Sequence, residues 1–438
     1  MIIAALAVIF WLDKKRRLPA GLRPGRDLPY WAFGLIVLCV VVFERIAFWA
    51  SAPVYGWDFL NAYYPAGQAA LQNDPSMLSA YIGKGTQGFV NLPITAYLFA
   101  PLALFPPDVA MLLFTAIGLG FAVLAWFLLV RLAGLELRER WLLAVLFLAN
   151  GGIIDAAKLG NLSYFLIAAL AGGLLLVRSG RTVSAAVLLG LAAVIKPPFA
   201  LFGLFFLLRR DWRGSISFAG VGIAAALMSL AVYGWDLNYL WFENSVLHYS
   251  HNWFATFNVQ SFSGFIMRLR PDVRLDLWVT NIPTSGERLA NQILTALAFL
   301  VAASASFRLR SWTSAASDRN PLTRLDLQYL LVVCLCLISS PLNWSHYYSW
   351  LLMPMAFFLS AQNRLSLPER AVAWGSIMLV TALQGWPLLI SSPILMAPYK
   401  TLFVSHIFVG GLVWFGLVAW WLANAGGLGT RWSGLARR

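Results

Sequence analysis

Apolar runs dominate the chain, broken by short basic or proline-bearing stretches. A bilayer core of about 30 Å takes roughly 20 apolar residues per helix. By that measure the pattern predicts about twelve transmembrane helices, at 29–49, 108–131, 141–157, 161–178, 182–195, 197–208, 214–234, 289–308, 326–340, 347–361, 371–390 and 403–424. Several of these are short, so neighbouring helices must bury their polar ends. The predicted fold class is all-α, a polytopic membrane helix bundle, because only helices and closed barrels satisfy the backbone in lipid.

Three stretches depart from the simple pattern. Residues 2–12 are apolar but too short to span before Asp13-Lys14-Lys15. Residues 93–105 are apolar and end at Pro106-Pro107, which predicts a half-inserted helix of about 20 Å. Residues 182–208 lie between two basic clusters and carry Lys196-Pro197-Pro198 at their centre. Prolines break the helix there, and like flanks predict a hairpin that enters the membrane and returns.

Composition strengthens the membrane reading. Hydrophobic residues make up 60% and charged residues 11%, against roughly 45–50% and 25% in an ordinary soluble domain. That balance excludes a disordered chain, a disulfide scaffold and a soluble nucleic-acid-binding domain. The net charge of +14 arises from clusters between apolar runs, not from one basic face, so no nucleic-acid partner is expected. Lys14, Lys15, Arg16, Arg17, Arg23 and Arg26 precede the first long run, and later clusters around Arg138, Arg181, Arg210, Arg310, Arg370 and Arg437 fall on the same side. The positive-inside rule makes that side cytoplasmic. Residues 1–28 are then a cytoplasmic basic segment, 29–424 one integral-membrane domain, and 425–438 a cytoplasmic basic tail. The two long outer loops are 51–92 and 233–288, and loops of that length are usually functional. Cys39, Cys334 and Cys336 all lie in apolar runs, as core packing expects.

Polar residues near the apolar boundary are the candidates for chemistry. Asp58 stands just beyond the first span, among Trp57, Tyr63, Tyr64 and Tyr81. A carboxylate there is costly unless it is solvated, paired or used. The plainer alternative is a cap for a short helix at 59–72. Lys196 at the tip of the proline hairpin needs a cavity or a partner, and a cation there suits a phosphate. Its plainer alternative is a structural pair with an acidic residue such as Asp155. His346 could donate a proton or hold a phosphate oxygen; otherwise it is an interfacial histidine in an aromatic belt. Asp155, Lys158, Gly160 and Asn161 interrupt an apolar region and add polar groups at the outer end of the bundle. His248 and His251 lack an evident third ligand, so no metal site is assigned. Arg268, Arg270 and Arg274 read first as solvated, with contact to lipid phosphates or pairing with Asp272 and Asp276 as the alternatives.

Four ordered segments carry a family likeness: Trp57-Asp58-Phe59 with Tyr63-Tyr64; Leu92-Pro93 through Ala100-Pro101-Leu102 to Pro106; Gly160-Asn161 through Arg178, Arg181 and Lys196-Pro197 to Arg213; and Ser340-Pro341-Leu342-Asn343-Trp344-Ser345-His346. Asn258-Val259-Gln260-Ser261 adds a fifth. On these residues the chain resembles glycosyltransferase family 87, the polyprenyl-phosphate-mannose-dependent mannosyltransferases of the GT-C superfamily. It departs from the family pattern at Gly160-Asn161, where Gly-Gln is common, and at Asn91-Leu92-Pro93, where Tyr-Pro-Pro is common.

The resemblance implies a GT-C fold and an inverting hexosyltransferase that uses neither cofactor nor metal. It implies that Asp58 is the catalytic base. Lys196 and His346 then meet the donor phosphate, with Asn161, Tyr63 and Tyr64 as further substrate-binding residues. The implied donor is a polyprenyl-phosphate sugar, and mannose is the expected hexose. The implied acceptor is a glycolipid or glycan among the membrane lipids, with the active site on the extracytoplasmic side of the cytoplasmic membrane. A transporter or flippase of lipid-linked sugars is the alternative from another class, and a non-catalytic scaffold is a third.

Overall fold

A computed structural model describes residues 55–307, 322–381 and 397–435. Nearly all of its ordered elements are helices; the one sheet is an antiparallel pair, Trp253–Phe254 with Thr280–Asn281. Among the described residues, four helical stretches are long and apolar enough to cross a bilayer: Pro107–Leu132, Trp212–His251, Ser285–Ser306 and His406–Asn424. Leu137–Ala149 and Gly151–Leu159, bent by 44° at Asn150, would together make a fifth.

Against the twelve expected, four or five helices among the described residues reach crossing length on their own. The apolar runs at 161–178, 182–195 and 197–208 form helices too short to cross alone. The runs at 326–340 and 347–361 become Arg324–Ser339, then a tight turn Ser345–Leu351 and a short helix Leu352–Ala361. These last pieces are as apolar as spans because the protein itself covers them: Leu330, Cys334, Trp350 and Phe357 are all buried in one core. The run at 29–49 and residues 2–12 lie outside the described residues, and 371–390 is described only to Thr381.

Residues 93–105 are not the expected half-inserted α-helix. They form two tight turns, Pro93–Leu98 and Leu102–Leu104. Pro101 and Pro106 each remove a backbone donor and cut the run into short pieces. The segment instead packs on the Tyr64–Gln72 helix, where a Cβ on Gly67 would stand 2.6 Å from the Phe99 carbonyl oxygen. The proline hairpin does break at its centre: helix Thr182–Ile195 ends at Lys196, and Pro197–Ala200 leads into helix Leu201–Leu208.

The bundle is fastened at its basic end by Arg178. Its Nε donates to buried Asp326 at 2.7 Å, and its Nη1 to the Leu132 carbonyl at 2.6 Å. Between residues 252 and 288, Arg270 pairs with Glu287 and Arg274 with Asp276. Arg268 is not solvated: it is buried, donating to Ser405 and to the carbonyls of Thr256 and Val259.

Candidate active site

Asp58 opens the first outer helix, Phe59–Tyr63 running on as Tyr64–Gln72. A helix was expected over 59–72, but Asp58 does not cap it, because its side chain makes no cap hydrogen bond. The carboxylate is half-buried and turned to another segment, accepting from Asn161 Nδ2 at 2.6 Å.

That meeting is built by two glycines. Gly56 has a φ of +76° and donates its N–H to the Lys158 carbonyl at 2.7 Å, which ties the start of the outer loop to the end of the Gly151–Leu159 helix. Gly160 closes that helix with a φ of +71°, and a Cβ on it would stand 2.5 Å from Phe59 Cβ. Only glycine permits both the left-handed turn and the close approach. Asn161 is oriented in turn, since its Oδ1 accepts from the Ser163 amide at 3.1 Å and the Ser163 hydroxyl at 2.7 Å. The carbonyl side being occupied, the amide donor is left for Asp58.

Lys196 arrives from the hairpin. The residue before a proline is pushed out of the helical region, and Lys196 is extended at φ −133°, ψ 101°. Asn91 of the first outer loop donates to the Ile195 carbonyl at 3.2 Å and holds the tip. The buried ammonium donates to Tyr347 Oη at 3.1 Å and lies 4.8 Å from that ring's centre. It does not pair with Asp155, the plainer alternative. Tyr347 stacks on Trp350, which packs on Phe199, so one aromatic wall backs the lysine.

His346 is placed by the second outer loop. Asn343–Ser345 and Asn258–Gln260 run antiparallel, with Ser345 N–H to Asn258 O at 2.7 Å and Gln260 N–H to Asn343 O at 2.6 Å. Asn343 bonds back to the Cys336 and Leu337 carbonyls, which the end of the Arg324–Ser339 helix leaves open. His346 is thereby buried, with Nδ1 3.9 Å from Asp155 Oδ2.

Chain segments distant in sequence thus converge on one carboxylate. Desolvation pushes the Asp58 carboxyl above its ordinary value; His346, the Asn161 amide and Lys196 oppose the rise, and Asp155 adds to it. Tyr63 joins this group. Its phenol is held well above its usual range by burial, with Asp58 and Tyr347 adding to the effect, and its ring stacks on Phe99 at 4.5 Å. Tyr64 does not join: its hydroxyl donates to the Phe105 carbonyl at 2.9 Å. Sequence reasoning missed Tyr347, which is adjacent to His346 but indistinguishable there from the other aromatics. It gave Asp155 only a structural role opposite Lys196. Of the remaining histidines it weighed, His248 meets the Thr280 hydroxyl at 3.3 Å.

A partly buried carboxylate beside two buried groups able to carry positive charge can take a proton from a hydroxyl while the cations neutralise an anion formed nearby. Comparison with known proteins identifies the family. Residues 89–341, more than half of the chain, match the model of glycosyltransferase family 87. A polyprenol-phosphate-mannose-dependent alpha-(1-2)-phosphatidylinositol mannoside mannosyltransferase of Mycolicibacterium smegmatis is 26% identical over 361 residues, covering 77% of both chains. A polyprenol-phosphate-mannose-dependent alpha-(1-2)-phosphatidylinositol pentamannoside mannosyltransferase of the same organism is 26% identical over 398 residues, 86% of both. A phosphatidylinositol mannoside mannosyltransferase of Mycobacterium tuberculosis is 27% identical over 168 residues, 38% of this chain and 34% of its own. No solved structure matches significantly. With the family model matching more than half of its length and with its long apolar helices, the chain is a membrane protein that belongs to glycosyltransferase family 87.

Proposed function

We propose that the protein transfers mannose from a polyprenyl-phosphate-mannose donor to a hydroxyl of a glycolipid or glycan, at the outer face of the cytoplasmic membrane. The donor class is that named for the relatives, and their phosphatidylinositol mannoside acceptors make a glycolipid acceptor the first choice here. One observation carries the reading: Asp58 is bonded to Asn161 and lies in the electrostatic field of both Lys196 and His346.

In this scheme Asp58 accepts the proton of the attacking hydroxyl. The acceptor oxygen bonds to the anomeric carbon as the bond from that carbon to the phosphate oxygen breaks, with inversion. The departing polyprenyl phosphate gains a negative charge, which Lys196 and His346 offset. Phosphate leaves without needing a protonated acid, so one carboxylate suffices, unlike glycoside hydrolysis with its pair. The apolar helices admit the prenyl tail from the bilayer, and the segments 55–92 and 252–288 stand over the acceptor side. The orientation rests on the basic clusters.

The test is transfer of labelled mannose from a synthetic polyprenyl-phosphate donor by purified protein in lipid. Product formation is expected from the native chain. Movement of lipid-linked sugar across vesicles without a new glycosidic bond would overturn the reading.

A further inference from the structure

Asp155 is the second carboxylate in the field of Asp58, and the scheme above gives it no task. It lies on the Gly151–Leu159 helix, which starts where Asn150 Oδ1 accepts the Ile153 amide at 3.0 Å. That helix rests on the Ser345–Leu351 turn at backbone contact. A Cβ on Gly152 would stand 3.0 Å from the Ser349 nitrogen and 3.2 Å from the His346 carbonyl oxygen. The registration brings Asp155 Oδ2 to the Ser345 hydroxyl at 3.2 Å and to His346 Nδ1 at 3.9 Å.

His346 itself is anomalous. It is 3% exposed, yet neither ring nitrogen has a hydrogen-bond partner. Buried polar atoms are nearly always satisfied, so an orphaned imidazole calls for an explanation. A carboxylate stands just beyond hydrogen-bond length from one nitrogen. Catalytic hydrogen bonds are often long in a ligand-free site and tighten when substrate arrives. A carboxylate on one ring nitrogen also fixes the tautomer and the ring plane, leaving the other nitrogen for the ligand.

We propose that Asp155 is a positioning residue for His346: it accepts a hydrogen bond from Nδ1–H of the protonated ring and so sets Nε2–H toward the donor phosphate. This rests on the reading of His346 as a phosphate-binding group. Ser345, donating to the same oxygen of Asp155, keeps the carboxylate aimed at the ring rather than at Lys158 one turn away on its own helix.

A double-mutant cycle tests it, with Asp155→Asn, His346→Gln and both together, read as kcat and KM for polyprenyl-phosphate-mannose. Asp155→Asn and His346→Gln should each lower kcat at least tenfold, and the double variant should be no slower than His346→Gln alone. Asp155→Glu, which keeps a carboxylate, should recover part of the loss. Thermal melting of each variant identifies any that misfold, and Asp155→Glu then serves in the cycle in place of Asp155→Asn, with a kcat between those of the native chain and His346→Gln. A silent Asp155→Asn, or losses that multiply in the double variant, would overturn the positioning role while leaving the phosphate role of His346 intact. A silent His346→Gln would overturn both, and would leave the Asp58 reading standing on its own test.

Discussion

Asp58 needs to be ionised to take a proton, and its surroundings set where that ionisation falls. Burial raises its carboxyl, and Lys196 is among the groups that hold it down. Activity should therefore decline on acidification at a pH above the ordinary carboxylate range. Lys196→Met removes a lowering influence, so the carboxyl rises further and the acid limb of kcat/KM should move to higher pH. The rate at the plateau should fall as well, because the leaving phosphate loses a cation. A pH profile of both forms checks this; an unmoved acid limb would separate Lys196 from Asp58. Gly160→Ala is the steric counterpart. The new methyl would meet Phe59 in a left-handed turn, at a cost of about 1–3 kcal/mol, and transfer should drop because Asp58 and Asn161 are driven apart. Melting temperature and rate should fall together.

Between residue and molecule, single elements decide the geometry. The Trp212–Trp241 helix turns at Gly234, whose φ of +71° and ψ of −179° belong to a region only glycine occupies readily. Asn238 repairs the break, donating to the carbonyls of Ser229 and Gly234. Beyond the turn, Trp235 and Tyr239 stack on each other in the open, where an aromatic pair suits the lipid headgroup region. Gly234→Ala should lower the melting temperature in detergent, at a cost of about 1–3 kcal/mol; an unchanged melt would show that the helix tolerates a straighter path. The same kind of signal was readable beforehand at Lys196-Pro197-Pro198, where a proline pair dictates a break from sequence alone. At 93–105 the apolar run with its prolines looks like one helix in the sequence, whereas the fold divides it into two tight turns laid on a neighbouring helix.

At the scale of the molecule, legibility followed chemistry. Asp58, Asn161, Lys196 and His346 interrupt apolar surroundings, and an isolated polar group in such a chain is visible at once. Their meeting was not visible, because it depends on close approaches at Gly56 and Gly160 and on Asn258–Gln260 pairing with Asn343–Ser345. Tyr63 and Tyr64 are neighbours of the same type; only the fold sends one to Asp58 and the other to Phe105. Asp155 was legible as a charge but not as the neighbour of His346, which is 191 positions away in sequence. Hydropathy alone does not fix the number of crossings, because a helix buried inside protein is as apolar as one facing lipid and both are counted.

The central claim is that one carboxylate performs the proton transfer while surrounding groups bind and neutralise. Single-turnover transfer from synthetic polyprenyl-phosphate-mannose by purified Asp58→Asn measures it most directly, since the substitution keeps the shape and removes the base. The rate of the chemical step should fall by about 10²–10⁴-fold, with donor binding nearly unchanged. Transfer at the native rate by Asp58→Asn would contradict the account.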